Sequence, residues 1–357
     1  MATRTEPAAA TVPVRATRTL SRPVALGVVG LFALVVALVA GVGLGSVAVS
    51  PADTLGVLGH RLFGLPAAGV SPAVDAIVWD LRLPRVLTAM VVGLGLAVAG
   101  TTFQGLLRNP LADPYVLGTA SGAALGAAIA VLIPIRVAIL EFGLLNALAF
   151  GGALAAIAAV YRLARTGGLG AMTNLLLTGY ALGSLLAAGL ALAMYLSGSA
   201  LRQIFGYLLG SFGDASWARL GGALVLVLAG SAPILLRARS LNALLLGEEA
   251  AEHLGIDVRR ERRTLLALGS LVTAASVAVS GLIGFVGLVV PHVVRLAVGP
   301  NARLVLPLAA VYGAVLMAVA DLVARLLGEI PVGVVTAVIG APFFLFLLRR
   351  TRSGYEL

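Results

Sequence analysis

The sequence predicts an all-α, polytopic membrane protein with about ten transmembrane helices. Three observations carry that prediction. Of 357 residues, 60% are hydrophobic and only 11% are charged, with a mean hydropathy of +1.06. A soluble domain carries roughly 25% charged residues, so this chain has too few to cover a water-exposed surface. Apolar stretches of roughly 20 residues, the length a helix needs to cross a bilayer, recur along the chain. All 25 basic residues are arginine, and they punctuate those stretches. No segment alternates as a barrel strand does, and lipid demands backbones whose hydrogen bonds close internally, so the spans are helices.

In chain order, residues 1–23 hold Arg4, Arg15, Arg18 and Arg22 with no apolar run, and read as a disordered, positively charged cytoplasmic tail. The apolar run 24–49 is too long for a signal peptide, whose core is roughly 7–15 residues, and reads as a retained first span. Apolar windows between charges and Pro/Gly breaks give spans 24–48, 86–107, 115–134, 139–161, 172–197, 217–236, 264–281, 285–298, 303–327 and 332–348. Gly281, Gly284 and Gly287 interrupt the later ones. Residues 24–350 thus form one transmembrane domain, followed by a short cytoplasmic tail, 351–357. With the N-terminus inside, alternation places 18 of the 25 arginines in cytoplasmic segments. Positive charge prefers that side, so an even span count and two cytoplasmic termini are mutually consistent. The net charge of +10 then reports topology rather than a nucleic-acid partner. Gly118, Gly122 and Gly126, and again Gly179 and Gly183, are spaced to let a neighbouring helix approach closely.

The segment 240–263, SLNALLLGEEAAEHLGIDVRRERR, is too polar to span. Leu241, Leu244, Leu245 and Leu254 would share one side of short helices broken at Gly247 and Gly255, with Glu248, Glu249, Glu252 and His253 facing water. A short amphipathic helix pair rests on a membrane surface or docks a soluble partner; the anionic cluster favours docking. Asn109-Pro110 and Asp113-Pro114 each suit an N-cap followed by proline at the first helical position, so this turn starts the third span sharply. Asp321 and Arg325, four apart on a helix face, can pair. Exposed Arg82 and Arg325 are alternatively placed to receive carboxylates from an external partner.

Several chemistries are excluded. Without lysine no G-x-x-x-x-G-K-[ST] phosphate loop exists, so this polypeptide lacks that ATP site. There is no cysteine, hence no disulfide or thiolate chemistry, which fits a bacterial inner membrane. His60, His253 and His292 are scattered, and there is no H-E-x-x-H. Asp321 is the only acid well inside the spans, so a proton relay is not evident. A transporter of this composition needs energy from a partner; a secondary transporter, a channel or a membrane scaffold are the other classes that the residues leave open.

LRLPRVLTAMVVGLGLAVAGTTFQGLLRNPLADPYVLGTASGAALGA (81–127), LLLGEEAAEHLGI (244–256), GLIGFVGLVVPHVVRL (281–296), ADLVARL (320–326) and PVGVVTAVIGAPFFLFLL (331–348) resemble the permease subunits of the ABC importers for iron–siderophore complexes, haem and vitamin B12. The resemblance runs from about residue 24 to the C-terminus and implies a vitamin B12 permease-like fold of ten helices. It implies two copies of the chain around a pathway at their interface in the inner membrane. Two cytoplasmic ATPase subunits carrying ATP and Mg would bind below, and a periplasmic or lipid-anchored substrate-binding protein would dock above. The chain itself would be no enzyme and would bind no cofactor or metal. Leu244, Leu245, Gly247, Glu248, Glu249, Ala250, His253, Leu254 and Gly255 match the coupling helices. Arg82 and Arg325 match the arginines that meet glutamates of the binding protein. Ala171, Met172, Thr173 and Asn174 match the cytoplasmic gate, with Met172 and Asn174 in place of the polar and basic types of the vitamin B12 permease. The stretch 201–217 matches the short helix and outer loop near the cavity mouth, and Tyr195, Ser197, Gln203 and Tyr207 are the polar groups expected along the path. The substrate expected first is a ferric siderophore, with haem and cobalamin next.

Overall fold

The computed structural model describes residues 21–45, 47–66, 69–133, 143–164 and 171–352. The arginines at 4, 15, 18, 136 and 165, the side chains of Ala171 and Met172, and residues 353–357 lie outside the described residues. Fifteen α-helices are seen among the described residues. They are α1 (Ser21–Gly43), α2 (Pro51–Phe63), α3 (Pro72–Asp75), α4 (Leu83–Leu106), α5 (Thr119–Leu132), α6 (Leu144–Ala164), α7 (Ala171–Leu196) and α8 (Leu201–Leu209), then α9 (Trp217–Leu236), α10 (Ala238–Leu246), α11 (Glu248–His253), α12 (Val258–Ser280), α13 (Val286–Val298), α14 (Ala302–Leu326) and α15 (Val332–Arg352). A π-helical stretch, Ala76–Arg82, joins α3 to α4, and a 3-10 turn, Pro114–Leu117, precedes α5.

Each of the ten sequence-predicted spans falls on a helix. Among the described residues seven helical segments are long and apolar enough to cross a membrane, and α5, α13 and the apolar part of α15 are shorter. At 13 residues α13 reaches about 20 Å, against a hydrocarbon core of about 30 Å. The non-helical stretch before it is held inside protein: Leu282 N–H donates to the Tyr207 carbonyl (3.2 Å), and the Tyr115 hydroxyl to the Ile283 carbonyl (2.9 Å). Irregular backbone at membrane depth is tolerated only when it is buried and bonded in this way.

The buried axis of the bundle is α4, nearly all of whose residues are inaccessible. It packs on α14, α12, α9 and α13. Gly93 lies against the backbone of Gly313, and Gly100 against that of Gly287; a side chain at either would strike the facing carbonyl. The predicted glycine stripe divides between two neighbours. Gly122 and Gly126 meet Gly152 and Leu148 of α6, whereas Gly118, at φ +78°, sits in the turn before α5 beside Gly179 and Gly183 of α7. Buried hydroxyls of Thr101, Thr102, Thr273 and Ser276 each donate to the carbonyl four residues back, so these four hydroxyls are satisfied within their own helices.

Two local expectations are corrected, and one helix is added. Asp113 caps the 3-10 turn by accepting from Tyr115 N–H (2.8 Å), while Asn109 only closes a turn onto Leu111 N–H (2.9 Å); α5 starts later, after Gly118. The polar insertion ends at Asp257, which caps α12 through Arg260 N–H (2.9 Å), so residues 258–263 already belong to that helix. Residues 51–63, between the first two spans, form α2, capped by Ser50 on Asp53 N–H (3.0 Å), with Pro51 at its first position.

Candidate functional site

The 24 residues of α4 separate the two ends of the bundle by about 36 Å. Arg82 at its start touches the end of α1, while Arg108, just past its end, donates to the Leu244 carbonyl of α10 (2.9 Å). The paired-arginine end and the α10–α11 end are therefore opposite faces of the molecule.

At the first end α1 stops at Gly43, leaving its last carbonyls without helical partners. Two arginines take them up. Arg82 donates to the carbonyls of Val42 (3.1 Å), Gly43 (2.9 Å) and Val47, and Arg325 to those of Gly41 (2.7 Å) and Leu44 (3.1 Å). Cationic groups are also favoured beside a helix C-terminus by its dipole. Arg82 is 6% exposed and Arg325 4%. The expectation that both are exposed is thus corrected: the orphaned carbonyls of α1 draw the guanidinium groups inward. The expected Asp321–Arg325 pair is present, Arg325 Nε lying 3.1 Å from Asp321 Oδ2 in an ion pair whose angles fall short of a hydrogen bond. Arg85 supplies the directed bond to Asp321 Oδ1 (2.9 Å) and also pairs with Glu329 (2.8 Å). Sequence reasoning missed Arg85 as a site residue, although its three-residue spacing from Arg82 puts both on one helix face. Arg82, Arg85, Arg325 and Glu329 border a recess of about 190 Å³.

At the opposite end α10 is anchored by buried Leu241 and Leu244. Asn242 ties it to α14 by donating to the Asn301 side chain (2.8 Å) and accepting from Ala302 N–H (2.6 Å). Gly247, at φ +127°, breaks α10 from α11, and Gly255 (φ +78°) follows α11. Glu249, Glu252 and His253 are exposed, as expected; Ala250 and Leu245 are half-buried. Leu254 is not on the buried side with Leu241 and Leu244: it is 64% exposed, and so is Leu246, at 72%, which the sequence reading passed over. The turn at Gly247 rotates the second piece, so a leucine pattern continuous in sequence is divided in space. Glu248 forms an ion pair with Arg262, and that hydrogen bond holds its carboxyl below the usual range.

Of the gate residues, Thr173 is exposed and Asn174 donates to the Ala164 carbonyl (2.7 Å), tying the start of α7 to the end of α6. Of the expected path residues, Tyr195 (85% exposed) and Gln203 are accessible. Two are corrected. Ser197 is buried and donates to the Met194 carbonyl (2.7 Å), and the half-buried Tyr207 donates to the Val277 carbonyl (2.9 Å). Both satisfy backbone at element ends, because a hydroxyl left beside lipid without a partner is costly.

The FecCD transport family profile matches residues 33–350. The chain belongs to the FecCD transport family. Membership bears out the resemblance to permease subunits of iron–siderophore, haem and vitamin B12 ABC importers that the motifs carry. This FecCD chain is 44% identical over 300 residues to the cobalamin import system permease protein BtuC of Halobacterium salinarum, covering 84% of this chain and 79% of that protein. It is 45% identical over 283 residues to the hemin transport system permease protein HmuU of Yersinia pestis, covering 77% and 84%. Its fold is similar to a metal-chelate type ABC transporter solved in an inward-facing conformation, with a TM-score of 0.78 and 33% identity, covering 92% of this chain and 99% of that one.

Proposed function

We propose that this FecCD chain is the permease subunit of an ABC importer that passes a metal-bearing tetrapyrrole, a corrinoid or haem, from a binding protein into the cytoplasm. The observation that carries this reading is the family match over residues 33–350, together with the two polar faces at opposite ends of one membrane bundle. Relatives named for cobalamin and hemin at 44% and 45% identity support the tetrapyrrole class; the ferric siderophore expected from the sequence takes second place.

In this reading Leu246, Glu249, Glu252, His253 and Leu254, which are among the exposed groups of α10–α11 and the residue beyond, contact an ATPase subunit carrying ATP and Mg. The chain itself catalyses no bond chemistry. The recess among Arg82, Arg85 and Arg325 receives a carboxylate of the binding protein, with Arg85 as its accessible edge. The apolar face of α7, where Leu177, Tyr180, Leu185 and Leu192 are exposed, meets a second copy. Closure of the ATPase dimer moves α10–α11 and, through them, the start of α7 at Thr173 and Asn174, a rigid-body switch between two access states.

The test is uptake into proteoliposomes holding this chain with its ATPase and binding protein, offered cobalamin, hemin and a ferric siderophore in parallel. The expected result is ATP-dependent accumulation of one tetrapyrrole. Accumulation without the ATPase subunit would overturn the importer reading, and preference for the siderophore would overturn the substrate class.

A further inference from the structure

We propose that the cleft between α6, α7 and α12 is a binding site for one anionic phospholipid, its phosphate held by Arg259, Arg260 and Arg263 and an acyl chain lying between α6 and α12. The inference goes beyond the transport reading and does not depend on it.

The cleft encloses about 920 Å³, the upper part of the range of small-molecule pockets, roughly 300–1,000 Å³. Its polarity is ordered along the helix axes. Arg259, Arg260 and Arg263 lie at the mouth, on the first turns of α12. Leu154, Ile157 and Leu268 line the deeper part. Ten residues separate Arg260 from Ser270 at the far end, about 15 Å of helix, which equals half of a hydrocarbon core of about 30 Å. A charged head at the rim and an apolar trough one leaflet deep have the profile of a phospholipid, and neither a soluble anion nor a plain apolar ligand uses both parts.

The charges at the mouth are available. All three guanidinium groups are exposed, and none takes part in an ion pair among the described residues. Their neighbours on the same helix are differently placed: Arg262 is paired with Glu248, and Glu261 lies 3.4 Å from Arg237. The one carboxylate on the lining, Asp257, accepts from Arg260 N–H (2.9 Å) as the cap of α12. Three arginines facing one acid leave a positive surplus, and arginine presents forked donors that match phosphate oxygens. Leu175, one residue beyond Asn174, also lines the cleft, so an occupied cleft buttresses the start of α7.

The test is native mass spectrometry of the delipidated full-length protein, titrated separately with phosphatidylglycerol, phosphatidylcholine and glycerol 3-phosphate. The expected result is one retained phosphatidylglycerol that survives conditions stripping phosphatidylcholine. Each guanidinium near an anionic headgroup contributes roughly fivefold, so the Arg259→Gln/Arg260→Gln/Arg263→Gln variant should bind phosphatidylglycerol about a hundredfold more weakly, and the corresponding lysine variant should recover most of that loss. Ala158→Trp, which fills the trough beside Ile157 and leaves the arginines in place, should also abolish retention. Equal retention of phosphatidylcholine, or glycerol 3-phosphate binding as tightly as the lipid, would overturn the proposal. So would an unchanged lipid in the Ala158→Trp variant, or displacement of the lipid when the ATPase subunit is added, which would show that the arginines face protein.

Discussion

Arg85 and Asp321, 236 positions apart in the chain, are joined by a hydrogen bond of 2.9 Å from Nε to Oδ1, and the Asp321 side chain is wholly buried. Arg325 shares the same carboxylate from the other side at 3.1 Å. One acid thus balances two arginines where α4, α14 and the end of α1 converge.

Replacing Asp321 by alanine should therefore be severe, because it leaves the buried Arg325 guanidinium without a carboxylate and Arg85 with Glu329 alone. Breaking one side of a buried pair costs about 3–5 kcal/mol. The measurement is thermal unfolding in detergent. Combining Arg85→Ala with Asp321→Ala should restore part of the loss, so strict additivity of the two single losses would argue against the coupling.

Arg82 and Arg325 hold the end of α1, so their loss should be read locally. Removing either guanidinium strands carbonyls that accept charged hydrogen bonds, at a cost of about 1.5–3 kcal/mol. Amide exchange in residues 41–47 should accelerate in Arg325→Met while the centre of α4 stays protected. Binding-protein docking is better probed at Arg85, which makes no bond to α1: Arg85→Gln should weaken association at low salt. Unchanged affinity would remove the recess from the docking surface.

Glu249→Arg should uncouple nucleotide hydrolysis from uptake or prevent assembly with the ATPase, since Glu249 is exposed and holds no ion pair among the described residues. Glu248→Arg is a less direct probe because it also breaks the bond to Arg262. Normal coupled uptake by the Glu249 variant would count against the proposed contact.

Burial lifts the carboxyl of Asp113, in the loop before α5, to about 6 from an ordinary value of 3.8. A raised acid binds more protons in the folded state, so its contribution to stability falls as pH rises from 3.8 through 6 and is least favourable above 6. The full difference is about 3 kcal/mol at 1.36 kcal/mol per pKa unit. Stability followed by thermal unfolding should rise as pH is lowered from 7.5 to 5, and Asp113→Asn, which keeps the cap, should flatten that rise. An unaltered slope in the variant would assign the pH dependence elsewhere.

The spans were legible because lipid forces a long apolar window to be helical; the windows at 86–107 and 303–327 land on α4 and α14 within a few residues. α2 was legible in principle, through Ser50 before Pro51 and through Gly64 after its last turn, but with Asp53, His60 and Arg61 in 13 residues it is too polar to stand out in an apolar window. The bonds of Tyr207 and Ser197 were not legible, because a polar residue type does not reveal whether its hydroxyl faces a cavity or a nearby carbonyl.

From the sequence alone came membrane insertion, the order of the apolar helices, the want of a nucleotide loop and the family motifs, because these follow from composition and local order. Only tertiary structure decided that Arg82 and Arg325 turn inward, that Asp321 is shared with Arg85, that Leu254 parts from Leu244, and that three arginines of α12 open onto an apolar cleft. The physical reason is common to all four. A charged or apolar side chain is placed by whichever carbonyl, carboxylate or void lies within its reach, and those neighbours come from segments tens to hundreds of residues away or across a glycine turn.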